Sequence, residues 1–271
     1  MRAEDIEQIA VGILASFGTS QVLELPSAHH AGFGMDEGYQ VAHAVHRLRL
    51  ARGERLAGRK IGGTNRATYH ISGATGPSWG FMYDTTVSAF PESQGSFSVG
   101  AFPLSRIEPE IALHLGRTPE PGMGEDDLIG CVDRVTHGFE FVFSPFGRWG
   151  APPQDAVAAF CLHQGFVAGP WREVGADQSK WRDMLRAFSI TLSNGAGVER
   201  HGTGSDVFGS PILALKAMVD EIAAHPDRLP MQAGEIVTTG TITELMPALP
   251  GETWTTTITG IPLAGLTVRL T

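Results

Sequence analysis

The sequence of 271 residues predicts an α+β fold, in which a small helical segment precedes a β-rich core. Apolar residues recur at helical spacing over residues 4–17 and again over 36–53. After them, short apolar or β-branched runs alternate with glycine turns, which is typical of strands. The 34 glycines and 17 prolines also favour many turns over a helical bundle. We therefore expect a helical lobe over residues 1–55 and a β-rich core over residues 56–271, joined in one integrated domain.

The local patterns predict the order of these elements. In the first helix, Ile6, Ile9 and Ile13 lie on one face, and Asp36 is placed to cap the second helix. A third helix over 211–224 begins with a proline, which suits the first helical position because its missing N–H is not needed there. The predicted strands are 57–62, 79–84, 106–115, 138–144, 163–168, 188–193, 235–239, 253–259 and 265–270.

Charge and cysteine content narrow the function classes. A formal net charge of −9 argues against a nucleic-acid partner, because phosphate binding needs a basic patch. No apolar run approaches the length of a membrane span and the N-terminus lacks an apolar signal core, so we expect a cytoplasmic protein without a membrane partner. Cys131 and Cys161 have no metal-type spacing, and this pattern suits a reducing compartment.

The segment 106–115 carries two glutamates on one face of a predicted strand. Because side chains alternate along a strand, Glu108 and Glu110 point the same way, about 7 Å apart, and their neighbours are apolar. Two buried anions side by side are costly unless a cation neutralises them. Hard oxygen ligands suit Mg²⁺, Mn²⁺ or Ca²⁺. The alternative is an edge strand whose glutamates face water.

A third glutamate, Glu140, lies in another strongly apolar strand. Three phenylalanines share one face of that segment, whereas Glu140 stands on the opposite face. Three carboxylates on two neighbouring strands would form an open metal site, with positions left for water or a small molecule. The alternative is a pairing of Glu140 with an arginine such as Arg134 or Arg148.

Lys60 and Asp84 each end a predicted strand. A partly buried lysine can have a lowered pKa and serve as an acid, a base or a carboxylate anchor; otherwise its stem carries the amine to water. Asp84 either orients Lys60 and moves a proton, or caps a turn with Thr85 and Thr86. Lys60 and Asp84 are therefore the candidate catalytic residues.

Seven segments match, in order, the motifs of one known family. They are 36–41, 60–65, 80–84, 108–110, 139–141, 240–243 and 250–253. Together they resemble the fumarylacetoacetate hydrolase superfamily over nearly the whole chain. The third acidic residue is a glutamate rather than an aspartate, which favours the branch of 2-keto-4-pentenoate hydratases and 4-oxalocrotonate decarboxylases over the hydrolases proper.

The resemblance implies a mixed β-roll, barrel-like core behind the helical lobe, usually assembled into homo-oligomers. It also implies Mg²⁺ or Mn²⁺ held by Glu108, Glu110 and Glu140, with a small-molecule substrate completing the coordination. Lys60, with Asp84, would then handle protons. The predicted substrate-binding residues are Asn65, Phe160, His163 and Thr241.

The implied activity is that of a metal-dependent lyase. The branch hydrates 2-hydroxy-2,4-dienoates or 2-oxo acids through a metal-bound enolate, as in the meta-cleavage catabolism of aromatic compounds. A 2-oxo acid decarboxylase of the same family is the alternative, because loss of CO₂ gives the same enolate. The carboxylate ligands do not separate these two reactions.

The stretch 159–165 departs from the family pattern. Hydratases of this type carry Asp-Asn-Ala there, whereas Ala159 and Phe160 replace the acid and the amide here. His163 either supplies a polar group to the pocket or is a buried histidine with its own partners. The departure leaves open a third reading, a non-catalytic family member that serves as a scaffold subunit in complex with a homologous pathway enzyme.

Overall fold

The computed structural model describes residues 1–224 and 229–271. The helices of this part of the chain are α1 (Ala3–Ser16), α2 (Pro26–His29), α3 (Met35–Ala51), α4 (Tyr69–Ser72), α5 (Glu125–Ile129), α6 (Pro153–Ala158), α7 (Gln178–Ala187) and α8 (Pro211–Ala224). The strands are β1 (Leu56–Gly62), β2 (Ser78–Tyr83), β3 (Val87–Ala89), β4 (Gln94–Phe97), β5 (Arg106–Leu115), β6 (Val132–Val142), β7 (His163–Ala168), β8 (Arg172–Glu173), β9 (Ser189–Ser193), β10 (Glu199–Thr203), β11 (Ile236–Thr238), β12 (Met246–Pro247), β13 (Thr253–Thr259) and β14 (Thr267–Leu270).

Two sheets organise the described residues. The larger has nine strands in the order β2-β1-β11-β5-β6-β7-β3, with β12 beside β5 and β8 beside β6. The smaller has the order β10-β9-β13-β14-β4. Strand β11 pairs in parallel with β1 and antiparallel with β5, so it brings a late segment of the chain between two early ones.

The core fills both sides of the larger sheet. Between the two sheets, Phe139 and Phe141 of β6 belong to the same apolar cluster as Trp254 of β13. On another side, Leu113 of β5 and Leu215 of α8 share a second cluster, to which α7 also contributes. Because both faces of β5 and β6 are covered, polar side chains on these strands are removed from bulk water.

The N-terminal helices join the core instead of forming a core of their own. Ile13 of α1 and Val41 of α3 lie in one apolar cluster with Phe143, at the end of β6, and Ala158 of α6. The integrated domain and its boundary at residue 55 stay predictions. None of the helices within the described ranges is long and apolar enough to cross a membrane.

The predicted α+β class is confirmed, and the most strongly patterned elements have their predicted bounds. These elements are β5, β7, β13 and α8. Strand β6 begins at Val132 and not at residue 138, because its first half carries Asp133 and Arg134 and lacks apolar alternation. Helix α7 was not predicted, since only Trp181 and Leu185 form its buried stripe.

We expect the Leu215→Ala variant to lose about 2–5 kcal/mol of unfolding free energy, because a fully buried side chain is replaced by a cavity. Urea titration followed by circular dichroism measures this loss. Leu213→Ala is the matched control, because Leu213 lies on the same helix but is only half-buried. An equal loss in both variants would contradict the described packing of α8.

Candidate metal centre and active site

Three glutamates meet on one face of the larger sheet. Glu108 and Glu140 are directly opposite each other in the β5–β6 pairing, and Glu110 lies opposite Gly138. Each glutamate offers an oxygen within 4.8 Å of the others. Glu110 and Glu140 are fully buried and Glu108 is 9% exposed. The alternative of glutamates that face water from an edge strand is therefore wrong.

Glu140 is held by side chains from three other strands or strand ends. Nζ of Lys60 lies 3.3 Å from its Oε1, and Nδ1 of His163 lies 2.8 Å from the same oxygen. The Thr238 hydroxyl donates to Oε2 at 3.5 Å. An arginine partner, which the sequence left open, is not among these contacts. The register explains the convergence, because Lys60 pairs with Thr238 across β1 and β11.

A backbone donor holds Glu110. The N–H of Gly240 donates to Oε2 of Glu110 at 2.8 Å. Gly240 has φ of +100°, and a Cβ there would lie 1.8 Å from Oγ1 of Thr64, so only glycine allows this approach. Within the described residues, the other oxygen of Glu110, Oε1, is buried without a hydrogen-bond partner.

The pKa values reflect this crowding. Burial raises the pKa of Glu108 to about 7, although Lys60 opposes the shift. Burial, followed by the charges of Glu140 and Glu108, raises the pKa of Glu110 well above its usual range. Burial also opposes the charge of Glu140, but Lys60 and His163 outweigh it and lower its pKa. Of the three carboxylates, Glu140 therefore ionises most readily in the metal-free site.

The environment of Lys60 raises its pKa and does not lower it. Burial opposes the charge on Lys60, but Glu140 and the neighbouring anionic groups outweigh burial and raise its pKa. Lys60 also donates to the carbonyl oxygen of Cys161 at 3.1 Å. The Lys60 side chain is buried and protonated. The alternative in which its amine extends into solvent is therefore wrong.

The donor set fits a divalent cation. Three carboxylates and one ammonium give a formal charge of −3 + 1, or −2, in a region removed from water. The orphaned Oε1 of Glu110 offers an unused lone pair, which is the expected state of a ligand atom without its metal. Carboxylate oxygens favour Mg²⁺, Mn²⁺ or Ca²⁺ over softer metals. Glu108, Glu110 and Glu140 would hold the ion.

A left-handed turn borders the site between α6 and β7. Phe160, Cys161 and Leu162 have φ of +62°, +50° and +61°, although none is glycine. Each such residue costs about 1–2 kcal/mol. The turn aims the carbonyl of Cys161 at Lys60 and places its thiol 3.5 Å from the Ser78 hydroxyl.

An open cavity of about 680 Å³, counting its mouth, leads to the carboxylates. Its polar part is formed by Lys60, Glu108, Glu110, Thr64, Asn65, Thr68, Ser72, Ser78, Cys161 and Thr241. Its apolar part is formed by Val142, Trp149, Ala151, Pro153, Ala156, Leu162 and Leu245.

The structure brings three of the four predicted substrate-binding residues to this region. Asn65 and Thr241 line the cavity, and the Asn65 amide donates to the Thr241 carbonyl at 3.2 Å. His163 contacts Glu140 but is not one of the residues that line the cavity. Burial lowers the pKa of His163, so the neutral ring can donate from Nδ1 to Glu140 and accept at Nε2 from Thr86, 3.1 Å away.

The structure places Phe160, a predicted substrate-binding residue, away from the cavity. The left-handed turn directs this side chain into the core, where its ring lies 4.9 Å from the ring of Phe17. The guanidinium of Arg49 lies 5.2 Å from the same ring. Phe160 is not among the residues that line the cavity, so its role is packing.

The structure does not bring Asp84, a predicted catalytic residue, to Lys60. Asp84 follows β2 at the end remote from Lys60, which pairs with Gly80. Its carboxylate accepts from the backbone N–H of Arg55 at 3.0 Å and from Nε of the same residue at 2.9 Å. These bonds lower the pKa of Asp84, and the exposed group stays ionised at neutral pH. Asp84 therefore anchors a turn.

Sequence reasoning missed several groups that form the site. The backbone N–H of Gly240 and the carbonyl of Cys161 act through main-chain atoms, which side-chain patterns do not reveal. Thr238 and Trp149 carry no local motif. The one available signal was the threonine-glycine run at 238–241, which follows a short apolar strand.

Known proteins with similar sequences are hydratases of a dienoate or of an unsaturated keto acid. The chain is 29% identical over 236 residues to a 2-hydroxyhexa-2,4-dienoate hydratase of Comamonas testosteroni, covering 86% of each chain. It is 30% identical over 226 residues to a 2-keto-4-pentenoate hydratase of Paraburkholderia phymatum, covering 82% of each. No family model matches the chain.

Solved structures share the fold. A 4-oxalocrotonate decarboxylase from Pseudomonas putida G7, complexed with magnesium and adipate, superposes at a TM-score of 0.87 with 22% identity. The match covers 100% of this chain and 99% of that one. A yeast fumarylacetoacetate hydrolase family protein matches at a TM-score of 0.56 with 11% identity, over 78% of this chain and 91% of that one.

The 30% identity over 82% of each chain shows that this chain belongs to the family of the 2-keto-4-pentenoate hydratases. The hydratase relationship predicted from the motifs is confirmed. The predicted fold is also confirmed, because solved structures of the decarboxylase and of a fumarylacetoacetate hydrolase family protein share it.

We expect metal binding to stabilise the protein more as pH rises. In the metal-free folded state, Glu108 keeps its proton up to about pH 7, because its pKa is raised. In the unfolded chain, the same carboxyl releases its proton near the usual pKa of 4.5. That contribution to stability is therefore present at low pH and is lost as pH rises from about 4.5 through about 7. A divalent cation replaces the proton, so the gain in melting temperature grows over the same range.

Differential scanning fluorimetry with EDTA, Mg²⁺ or Mn²⁺ measures this effect, with a gain on the order of 5 °C expected at neutral pH and saturating metal. Glu108→Gln should flatten the pH dependence, and Asp84→Asn is the control that should leave it unchanged. A gain that falls with rising pH would contradict the described site.

Proposed function

We propose that this protein is a divalent-metal-dependent lyase that hydrates a 2-hydroxy-2,4-dienoate or its 2-oxo tautomer. The observation that carries the proposal is the orphaned, buried Oε1 of Glu110 within a cluster of three carboxylates, next to the Lys60 ammonium and an open cavity. Relatives that act on such acids span most of both chains.

The cofactor that fits is Mg²⁺ or Mn²⁺, held by Glu108, Glu110 and Glu140; magnesium accompanies the similar decarboxylase structure. When bound, the ion supplies Lewis-acid stabilisation of negative charge on the 2-oxo acid. The carboxylates lie too close together to remain ionised without a cation, which makes the site selective for a charged occupant.

Lys60 is the residue proposed to move protons. Its ammonium is fixed by two acceptors, Oε1 of Glu140 and the carbonyl of Cys161, so it is oriented before any substrate enters. A positioned acid of this kind donates a proton to a carbon of the dienolate and takes it back in the reverse direction. His163 positions Glu140 through the hydrogen bond from its Nδ1.

Decarboxylation of a 2-oxo acid is the second candidate, and one feature favours it. Among the described residues that line the cavity, the ionisable side chains are Lys60, Cys161, Glu108 and Glu110. Burial raises the pKa of Cys161, so its thiol is protonated at neutral pH. Addition of water needs a base besides the metal-holding carboxylates, whereas loss of CO₂ needs only stabilisation of the resulting enolate and a proton donor.

We also propose that the protein works in the cytoplasm and that it forms a homo-oligomer. Composition and the family resemblance support these two features. The scaffold alternative, in complex with a homologous pathway enzyme, gains no support from the site, because Lys60 and all three glutamates retain the geometry that chemistry requires.

We expect the metal-loaded protein to consume 2-hydroxypenta-2,4-dienoate and to lose this activity in EDTA. Ultraviolet absorbance follows loss of the dienoate, and ¹⁸O incorporation from labelled water identifies hydration. Release of CO₂ from 4-oxalocrotonate, without ¹⁸O incorporation into the dienoate product, would identify the decarboxylase. If neither acid is turned over with Mg²⁺ or Mn²⁺, the enzyme proposal fails and the scaffold alternative replaces it.

We expect Lys60→Met to lower kcat by about 10²–10⁴-fold, because the positioned proton donor is lost. Its metal affinity, measured by Mn²⁺ titration, should change less than that of Glu108→Gln, which removes a ligand. Asp84→Asn is the matched control and should keep wild-type kcat. If Lys60→Met weakens metal binding more than Glu108→Gln does, Lys60 has a structural role and not a proton-transfer role.

A further inference from the structure

The cavity changes character along β5 and β6. At its inner end, Glu108 and Glu140 lie opposite each other, and one strand repeat away, about 7 Å, Arg106 lies opposite Val142. Val142 belongs to the apolar part of the lining, together with Trp149 and Leu245. A 2-oxo acid whose carboxylate and oxo group lie at the glutamates would therefore extend its tail toward apolar side chains.

A cation lies against these apolar side chains without lining the cavity. The guanidinium carbon of Arg106 is 5.0 Å from the centre of the Trp149 ring. Its Nη1 donates to the carbonyl of Leu245 at 3.1 Å. Within the described residues, its Nε is buried without a hydrogen-bond partner. Trp149 and Leu245 thus contact both the cavity and Arg106, which is absent from the lining.

Trp149 is fixed in this position. Its indole Nε1 donates to the carbonyl of Leu104 at 3.0 Å, and the side chain packs against the cluster that contains Val142 and Leu245. The flat ring is therefore held between the tail region of the cavity and the guanidinium. Removal of the ring would open a path from the cavity to an incompletely paired cation.

We propose that Trp149 selects substrates by their tails: it offers an apolar surface to an uncharged alkyl tail and shields Arg106 from a second carboxylate. The inference rests on the proposed function, because it assumes that the acid head lies at the three glutamates. It assigns the substrate class as monocarboxylic 2-oxo or 2-hydroxydienoic acids with an apolar tail, and it disfavours dicarboxylic acids such as 4-oxalocrotonate.

The physical reason is desolvation. A carboxylate at the end of the tail would have to give up water against Val142, Trp149 and Leu245 without gaining a partner. A methyl group at the same position gains burial instead. The wild-type cavity therefore discriminates between two acids of equal length that differ only in this terminal group.

Binding of two unreactive six-carbon acids tests the proposal. With Mg²⁺ present, we expect calorimetry to give 2-oxohexanoate at least a tenfold lower Kd than 2-oxoadipate. In Trp149→Ala, the ratio should fall at least tenfold, because the dicarboxylate gains access to Arg106 while the alkyl tail loses contact. The double variant Trp149→Ala, Arg106→Gln should lose the gain in 2-oxoadipate affinity.

Two controls address folding and position. Trp149→Phe keeps an apolar ring and should keep most of the selectivity. Trp171→Ala removes a tryptophan that also lies against an arginine, Arg134, at 5.6 Å but is not part of the lining, so it should leave the ratio unchanged. A lower Kd for 2-oxoadipate than for 2-oxohexanoate in the wild type would overturn the inference.

The experiment also separates the two proposals. If both acids bind only in the presence of metal and with equal Kd, the glutamates do bind the acid head, and the proposed selection by Trp149 is wrong. If neither acid binds the protein under conditions where Mg²⁺ or Mn²⁺ also fails to bind, the proposed function itself is wrong and the tail assignment fails with it.

Discussion

Repulsion among three buried carboxylates is the constraint on which the rest of the site depends. Glu108, Glu110 and Glu140 are placed within reach of one another by the pairing of two fully covered strands. Lys60 compensates one charge and leaves two, which is the charge of a divalent cation. The protons retained by the metal-free site are the chemical equivalent of that missing ion.

Much of this could be predicted from sequence because strands alternate. The period of two identified the shared face of Glu108 and Glu110, and the apolar surroundings indicated burial. The family motifs added Lys60. What alternation could not predict is the arrival of β11 between β1 and β5, which places Thr238 and the backbone of Gly240 beside residues more than a hundred positions earlier.

Two predicted site residues, Asp84 and Phe160, lie away from the cavity for physical reasons. Asp84 ends the strand after Lys60 in sequence, but β1 and β2 are antiparallel, so the two residues lie toward opposite ends of the pair. Phe160 lies next to a residue that does line the cavity, yet its left-handed backbone turns the side chain toward Phe17. The local hydrophobic pattern does not reveal whether two strands joined by a long loop are parallel or antiparallel. It also does not reveal which residues have a positive φ.

The left-handed turn at 160–162 has a consequence for how the protein can evolve. Its three residues hold roughly 3–6 kcal/mol of conformational strain, comparable to much of the net stability of an ordinary domain. Glycine at position 161 would release part of that strain and raise the melting temperature, but it would also free the carbonyl that orients Lys60. Thermal robustness and turnover are thus set against each other at one peptide unit, and selection for heat tolerance alone would erode the catalyst.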